Sequence, residues 1–149
     1  MKYKFSIIVA SALERNAEVV ESLMKVNYNK NKYEIIVEKG RNPSENRNRG
    51  IKKAKGEILG FIDDDAIVDR NLLKNVEGFF GKHGDIDIVG GPQLTPKSDK
   101  LFARVSGYAL ESYFGTHKMS KRYKKGELDL DADEFSLSSA NCFVKKDIF

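Results

Sequence analysis

Glu57-Ile58-Leu59-Gly60-Phe61-Ile62-Asp63-Asp64-Asp65 is an apolar run that ends on three consecutive carboxylates. From Ile58 to Ile62 both faces are apolar, the pattern of a strand covered on both sides in a parallel sheet. Upstream, Asn42-Pro43-Ser44-Glu45 carries agreeing helix-start signals. Asn42 can cap, Pro43 suits the first helical position, and Glu45 stands three residues after the cap. The helix is expected to run to about Lys55, with Gly56 as its terminator. Glu34-Ile35-Ile36-Val37 and Phe5-Ser6-Ile7-Ile8-Val9 are two more compact apolar runs. Between them Asn16 reads as the cap of a helix that buries Val19, Val20, Leu23 and Met24.

Downstream, Asp69 reads as the cap of a helix with Leu72, Leu73, Val76, Phe79 and Phe80 on one stripe, ending near Gly81. Ile86 to Val89 reads as a fourth strand, broken by Gly90-Gly91-Pro92. Residues 99–114 hold Leu101, Phe102, Val105, Tyr108 and Ala109 at helical spacing, and Phe143-Val144 suggests a last strand. Strands alternating with helices predict βαβ units, hence an α/β fold with a mostly parallel sheet flanked by helices.

The bulk properties narrow the function classes. A chain of 149 residues fits one domain, 1–149, with 40% hydrophobic and 32% charged residues as in a soluble globular protein. Its net charge of +4 is too mild for a nucleic-acid binder, and the basic residues lack interleaved aromatics. Cys142 is the single cysteine, so no intrachain disulfide can form and a reducing compartment is expected. No apolar run approaches the ~20 residues of a membrane helix, and the N-terminal apolar stretch is too short for a signal peptide. These readings favour a cytoplasmic protein, or one at the cytoplasmic face of a membrane. Residues 115–135, first basic and then acidic, read as a mobile loop. Asp129, Asp131 and Asp133 do not make a calcium loop, because Glu134 stands where Gly is needed and Ala140 where Glu is needed.

Three adjacent carboxylates repel one another and are tolerated cheaply only where water or a cation offsets them. Here they follow a buried strand, at the carboxyl end where open α/β sheets bind ligands. Continued extended backbone would point Asp63 and Asp65 to one side and Asp64 to the other. Two hard oxygen ligands on one side suit Mg2+ or Mn2+, which keep positions for water and phosphate oxygens.

The ordered set of Asn42 to Ile51 (with Arg47-Asn48-Arg49-Gly50-Ile51), Ala54-Lys55-Gly56-Glu57 and Phe61-Ile62-Asp63-Asp64-Asp65 resembles the family 2 glycosyltransferases of the GT-A fold. Ser6 to Val9, Glu34 to Val37 and Ser139 to Lys146 are similar to further strands of that family, so the resemblance runs from about Lys4 to Phe149. It implies a Rossmann-like nucleotide-sugar-binding domain, a nucleoside-diphosphate sugar (most commonly a UDP-sugar) as donor, and a glycan, lipid or protein acceptor. By the same resemblance Asp65 would ligate a divalent Mn2+ or Mg2+, and Asp63 would contact the metal shell or ribose. Asp64 would support that geometry. Ala10 and Ser11 would lie against the nucleotide, Glu38 would stand where a base-reading Asp is usual, and Arg47 would approach base or diphosphate.

Two departures from the family pattern matter. Arg47 follows Val37 by only ten residues, which predicts a narrower sheet. The family's catalytic base lies beyond the strand near Cys142, so it is expected past Phe149 and no catalytic residue is assigned. The sequence therefore also admits a non-catalytic nucleotide-sugar-binding module or inactive paralogue. A haloacid-dehalogenase-type phosphatase fits less well, since Gly-Thr is missing after the second acid and the motif follows the third strand.

Overall fold

The computed structural model describes residues 3–97 and 99–149. Ser98 lies outside them, as do Met1 and Lys2, which head the stretch read as too short for a signal peptide. The elements in order are β1 (Phe5–Ser11), α1 (Val19–Met24), β2 (Tyr33–Lys39), α2 (Pro43–Lys53), β3 (Ile58–Asp63), α3 (Leu72–Lys82), β4 (Ile88–Gly90), α4 (Leu101–Glu111), α5 (Tyr113–Thr116) and β5 (Asn141–Lys145). Contacts gather into two compact units, one reaching Val89 and including Cys142–Phe149, the other Gly90–Asn141. In the second unit, part of the 115–135 segment is helical, in α5 and a 3-10 stretch over His117–Tyr123.

The sheet order is β2-β1-β3-β5-β4. β1 pairs in parallel with β2 and with β3, Ile7 standing between Ile35 and Gly60. β5 runs antiparallel to β3, because Lys146 N–H donates to the Glu57 carbonyl while Phe143 packs against Gly60, three residues on. β2 forms an edge, in keeping with the short passage from Val37 to Arg47.

Alternation sorts the strand side chains into two cores. Phe5, Ile7 and Val9 of β1 and Ile58 and Ile62 of β3 face α1 and α3, where Val19, Leu23, Leu73 and Val76 meet them. Ile8, Leu59 and Phe61 face the other way, against Ala54 after α2 and Val144 of β5. Covering both faces is what allows β1 and β3 to be apolar throughout, each buried aliphatic contributing roughly 1.5–3 kcal/mol.

Several boundaries differ from the sequence reading. α1 begins at Val19 rather than after Asn16, with Glu18 at the cap position and no side-chain cap. A tertiary bond replaces the local one: Val19 N–H donates to the Asp64 carbonyl at 3.0 Å. Asp69 makes a turn ahead of α3 instead of capping it, its carboxylate accepting from Asn71 N–H at 2.7 Å. β4 starts at Ile88, since Ile86 is held in a turn by His83.

Gly56 is not a helix terminator. α2 ends at Lys53, and no described glycine has a positive φ. A Cβ at Gly56 would lie 2.5 Å from the Phe5 carbonyl carbon and the Ser6 nitrogen. The residue is glycine because it must lie against the β1 backbone, where Ser6 Oγ accepts from its N–H at 2.7 Å.

Candidate functional site

β1, β2 and β3 deliver their carboxyl ends to the same side, and α2 begins beside them. Asn42 caps α2, its side chain accepting from Ser44 and Glu45 N–H, with Pro43 in the first turn. The positive end of the helix dipole thus lies at the strand ends. A cavity of about 280 Å³ opens there, lined by Ala10 and Ser11 at the end of β1, Ala12 and Arg15 after it, Gly40, Arg41 and Pro43 around the α2 start, Asn46 and Arg47 on α2, and Asp63 to Asp65.

The floor is a buried hydrogen-bond network. Asn46 is 1% exposed. Its Nδ2 donates to the carbonyls of Ser11 at 3.1 Å and Gly40 at 3.2 Å, while its Oδ1 accepts from Arg49 at 2.7 Å. One α2 side chain thereby fixes the ends of β1 and β2 against each other. Ser11 Oγ donates to Asp64 Oδ2 at 2.7 Å, and Arg15 Nη1 donates to Asp64 Oδ1 at 3.1 Å.

The triplet divides by environment. Asp64 is buried and committed to Ser11 and Arg15. Asp63 is half-exposed and accepts from Arg47 Nη2 at 3.3 Å. Asp65 has a side chain 71% exposed, its nearest cation being Arg15 at 3.8 Å. The expected alternation fails because β3 stops at Asp63: beyond it the chain turns, and all three acids line the cavity.

Burial pushes the Asp63 carboxyl above its ordinary value, with Asp65 and Asp64 adding to the rise and Arg47 opposing it. Below the ordinary carboxylate range the group is protonated in both folded and unfolded chains and costs nothing. Above its raised folded value it is charged in both, and the fold carries the whole penalty. Asp63→Asn is therefore expected to raise the thermal midpoint at pH 7. The gain should shrink as pH falls through the carboxylate range, read by melting wild type and variant across pH 3–8.

The structure brings Ala10, Ser11, Arg47, Asp63, Asp64 and Asp65 together around one cavity. Glu38 is not among its lining residues. It is buried on β2 and held by Arg49 Nε at 3.1 Å and by Lys53 Nζ, both from α2. The Lys53 ammonium, joined by Arg49, holds the Glu38 carboxyl below the usual range against the effect of burial. Both partners come from α2, so the visible work of Glu38 is to dock that helix on the sheet edge. Burial pushes the Cys142 thiol up to about 11, so it is no nucleophile at neutral pH.

Arg15 and Asn46 belong to the site, though Arg15 lies in no motif of the sequence and Asn46, inside the Asn42–Ile51 stretch, is given no role there. Arg15 lies in an aperiodic stretch between β1 and α1, 49 residues from Asp64 in the chain. The one signal for Asn46 is that it is a polar residue facing the sheet, on a helix whose exposed positions are mostly charged.

Comparison with known proteins agrees with this architecture. Chains of S. aureus TarS solved with UDP-GlcNAc superpose with a TM-score of 0.54 at 21% identity, over 66% of this chain and 36% of theirs. A197 from STIV superposes with a TM-score of 0.55 at 15% identity, over 97% of this chain and 65% of that one. At such identities the likeness speaks to the fold. In sequence, the chain is 30% identical over 105 residues to the minor teichoic acid biosynthesis protein GgaB of Bacillus subtilis (strain 168). That match takes in 68% of this chain but spans only 10% of GgaB. The model of the family described as Glycosyl transferase family 2 matches residues 4–149, and the chain belongs to that family.

Proposed function

We propose that the cavity holds the nucleoside diphosphate of a sugar donor, a UDP-sugar, for transfer of the sugar to a glycan, lipid or protein acceptor. The observation that carries this reading is the meeting of carboxylates, guanidinium groups and a helix N-terminus at the carboxyl ends of three parallel strands. S. aureus TarS, of the same fold, has been solved with UDP-GlcNAc and with UDP, which supports this choice of donor.

The donor set suits a divalent ion. Asp65 and Asp63 offer hard oxygens, Asp65 being well exposed. Among the described residues no three His, Cys, Asp or Glu side chains converge on one point. Two protein oxygens would leave positions for phosphate and water, as Mg2+ and Mn2+ prefer. When bound, the ion would offset the charge that grows on the departing diphosphate.

The chain's own residues supply the rest. Arg47, tied to Asp63, places a guanidinium beside the diphosphate, where fork geometry matches phosphate oxygens. The α2 N-terminus adds a favourable field. The Asn46 network keeps the walls fixed, so little ordering is left to binding.

Calorimetric titration with UDP, GDP and inorganic phosphate, each with and without Mn2+, tests the reading. UDP binding strengthened by Mn2+ and exceeding that of phosphate is expected. Absence of nucleotide binding under every condition would overturn it.

A further inference from the structure

Arg15 stands where its charge bears on two acids at once. Its backbone is fixed: the Arg15 carbonyl accepts from Lys39 Nζ at 2.8 Å, and its N–H donates to the Ala12 carbonyl at 3.2 Å. Its side chain, 61% exposed, is anchored among the described residues through one guanidinium nitrogen, Nη1, which lies 3.1 Å from Asp64 and 3.8 Å from Asp65. The guanidinium thus stands over two of the three acids, in the mouth of the cavity, as their counterion.

Resting on the donor-site reading above, we propose that Arg15 is a movable counterion that neutralises Asp64 and Asp65 until the donor's diphosphate draws it away, freeing Asp65 for the metal. A guanidinium 3.8 Å from Asp65 Oδ2 opposes the approach of a second cation to that carboxylate by like-charge repulsion. The diphosphate is the stronger partner for that guanidinium, since it offers several charged oxygens in fork-matching geometry. Asp64 keeps one partner through the exchange, since Ser11 Oγ still donates to it at 2.7 Å, and the arriving metal takes over the charge compensation that Arg15 gave. Metal and nucleotide then help each other through Arg15 as well as by direct contact, and that coupling is reciprocal.

The consequence is a sign pattern that simple loss of a surface charge does not give. In Arg15→Ala, Mn2+ alone should bind about 3- to 10-fold more tightly, because a like charge beside its ligands is gone. UDP alone should bind about 3- to 10-fold more weakly, having lost a phosphate partner. The factor by which UDP strengthens Mn2+ binding should fall. Arg15→Lys should keep much of the Mn2+ antagonism and recover only part of the UDP affinity, since an ammonium lacks the fork. Lys52→Ala, which removes an equal charge from the outside of α2, serves as reference and should change neither.

The test is four calorimetric titrations on each chain: Mn2+, UDP, Mn2+ with saturating UDP, and UDP with saturating Mn2+, with thermal melts to verify folding. Opposite shifts for the two ligands and a reduced coupling factor bear the proposal out. Wild type that binds both while Arg15→Ala binds both with unchanged constants or unchanged coupling overturns it and leaves the donor site standing. Weaker binding of both ligands by a folded variant also overturns it, making Arg15 a wall of the site. Wild type that binds no UDP overturns the donor-site reading, and this proposal with it.

Discussion

Asp65→Ala is expected to remove the Mn2+-dependent part of UDP binding, a loss of at least about 100-fold in apparent affinity. Loss of a residue that merely orients a metal ligand costs roughly 10–100-fold, and a direct ligand should exceed that. Its side chain is exposed and makes no contact closer than 3.8 Å to a cation, so the fold has little stake in it. The variant should therefore melt within about 1 °C of wild type, as surface substitutions usually stay within ~0.5 kcal/mol. Calorimetry against UDP and Mn2+ reads the first effect and a thermal scan the second. Unchanged affinity would move the metal away from Asp65. A large drop in melting temperature would mean that Asp65 holds the loop together rather than binding a ligand.

The largest expected stability effect lies at Phe143. This ring, 1% exposed on β5, packs edge-on to Phe5 with centroids 6.2 Å apart and lies against Gly60 of β3. A Cβ at Gly60 would come within 2.6 Å of it, so the glycine and the ring are fitted to each other. Phe143→Ala should cost about 3–5 kcal/mol, from lost transfer free energy and the cavity left behind. Collapse cannot fill the gap, because Phe5 and Ile7 are themselves locked in β1, which is paired on both sides. Urea unfolding should show a lower midpoint with an unchanged slope. A loss below ~1 kcal/mol would mean that β5 is not docked on β3 in solution.

The strands and α2 are legible in the sequence because their signals are local. β1 and β3 are apolar on both faces, and Asn42-Pro43 marks a helix start whatever surrounds it. The acidic triplet is legible too, since three carboxylates after a buried strand repel one another unless a ligand or water offsets them. What escapes a reading of the sequence depends on contacts between residues far apart in the chain. α1 starts late because the Asp64 carbonyl, 45 residues away from Val19, ties it. Gly56 has the sequence context of a helix stop, yet its reason lies in the β1 backbone. Glu38 follows the apolar run Glu34 to Val37, where the resemblance implies a base-reading acid, and only folding brings Arg49 and Lys53 onto it. Arg15 and Asn46 have no periodic neighbours to mark them, and they matter through what they touch.

If the ends of β1 and β3 and the start of α2 form one site for a metal-bound nucleoside diphosphate, Mn2+ held there must relax the nuclei around it. Paramagnetic broadening by Mn2+ in the presence of UDP, followed on the backbone amides of the isotope-labelled chain, reads this directly. The amides of Ser11, Arg47 and Asp63 to Asp65 should broaden beyond detection while those of Lys74 and Glu77, remote on α3, persist. Broadening centred on the acidic stretch 127–134, with the amides of Asp63 to Asp65 still sharp, would place the metal elsewhere and refute a donor site at the strand ends.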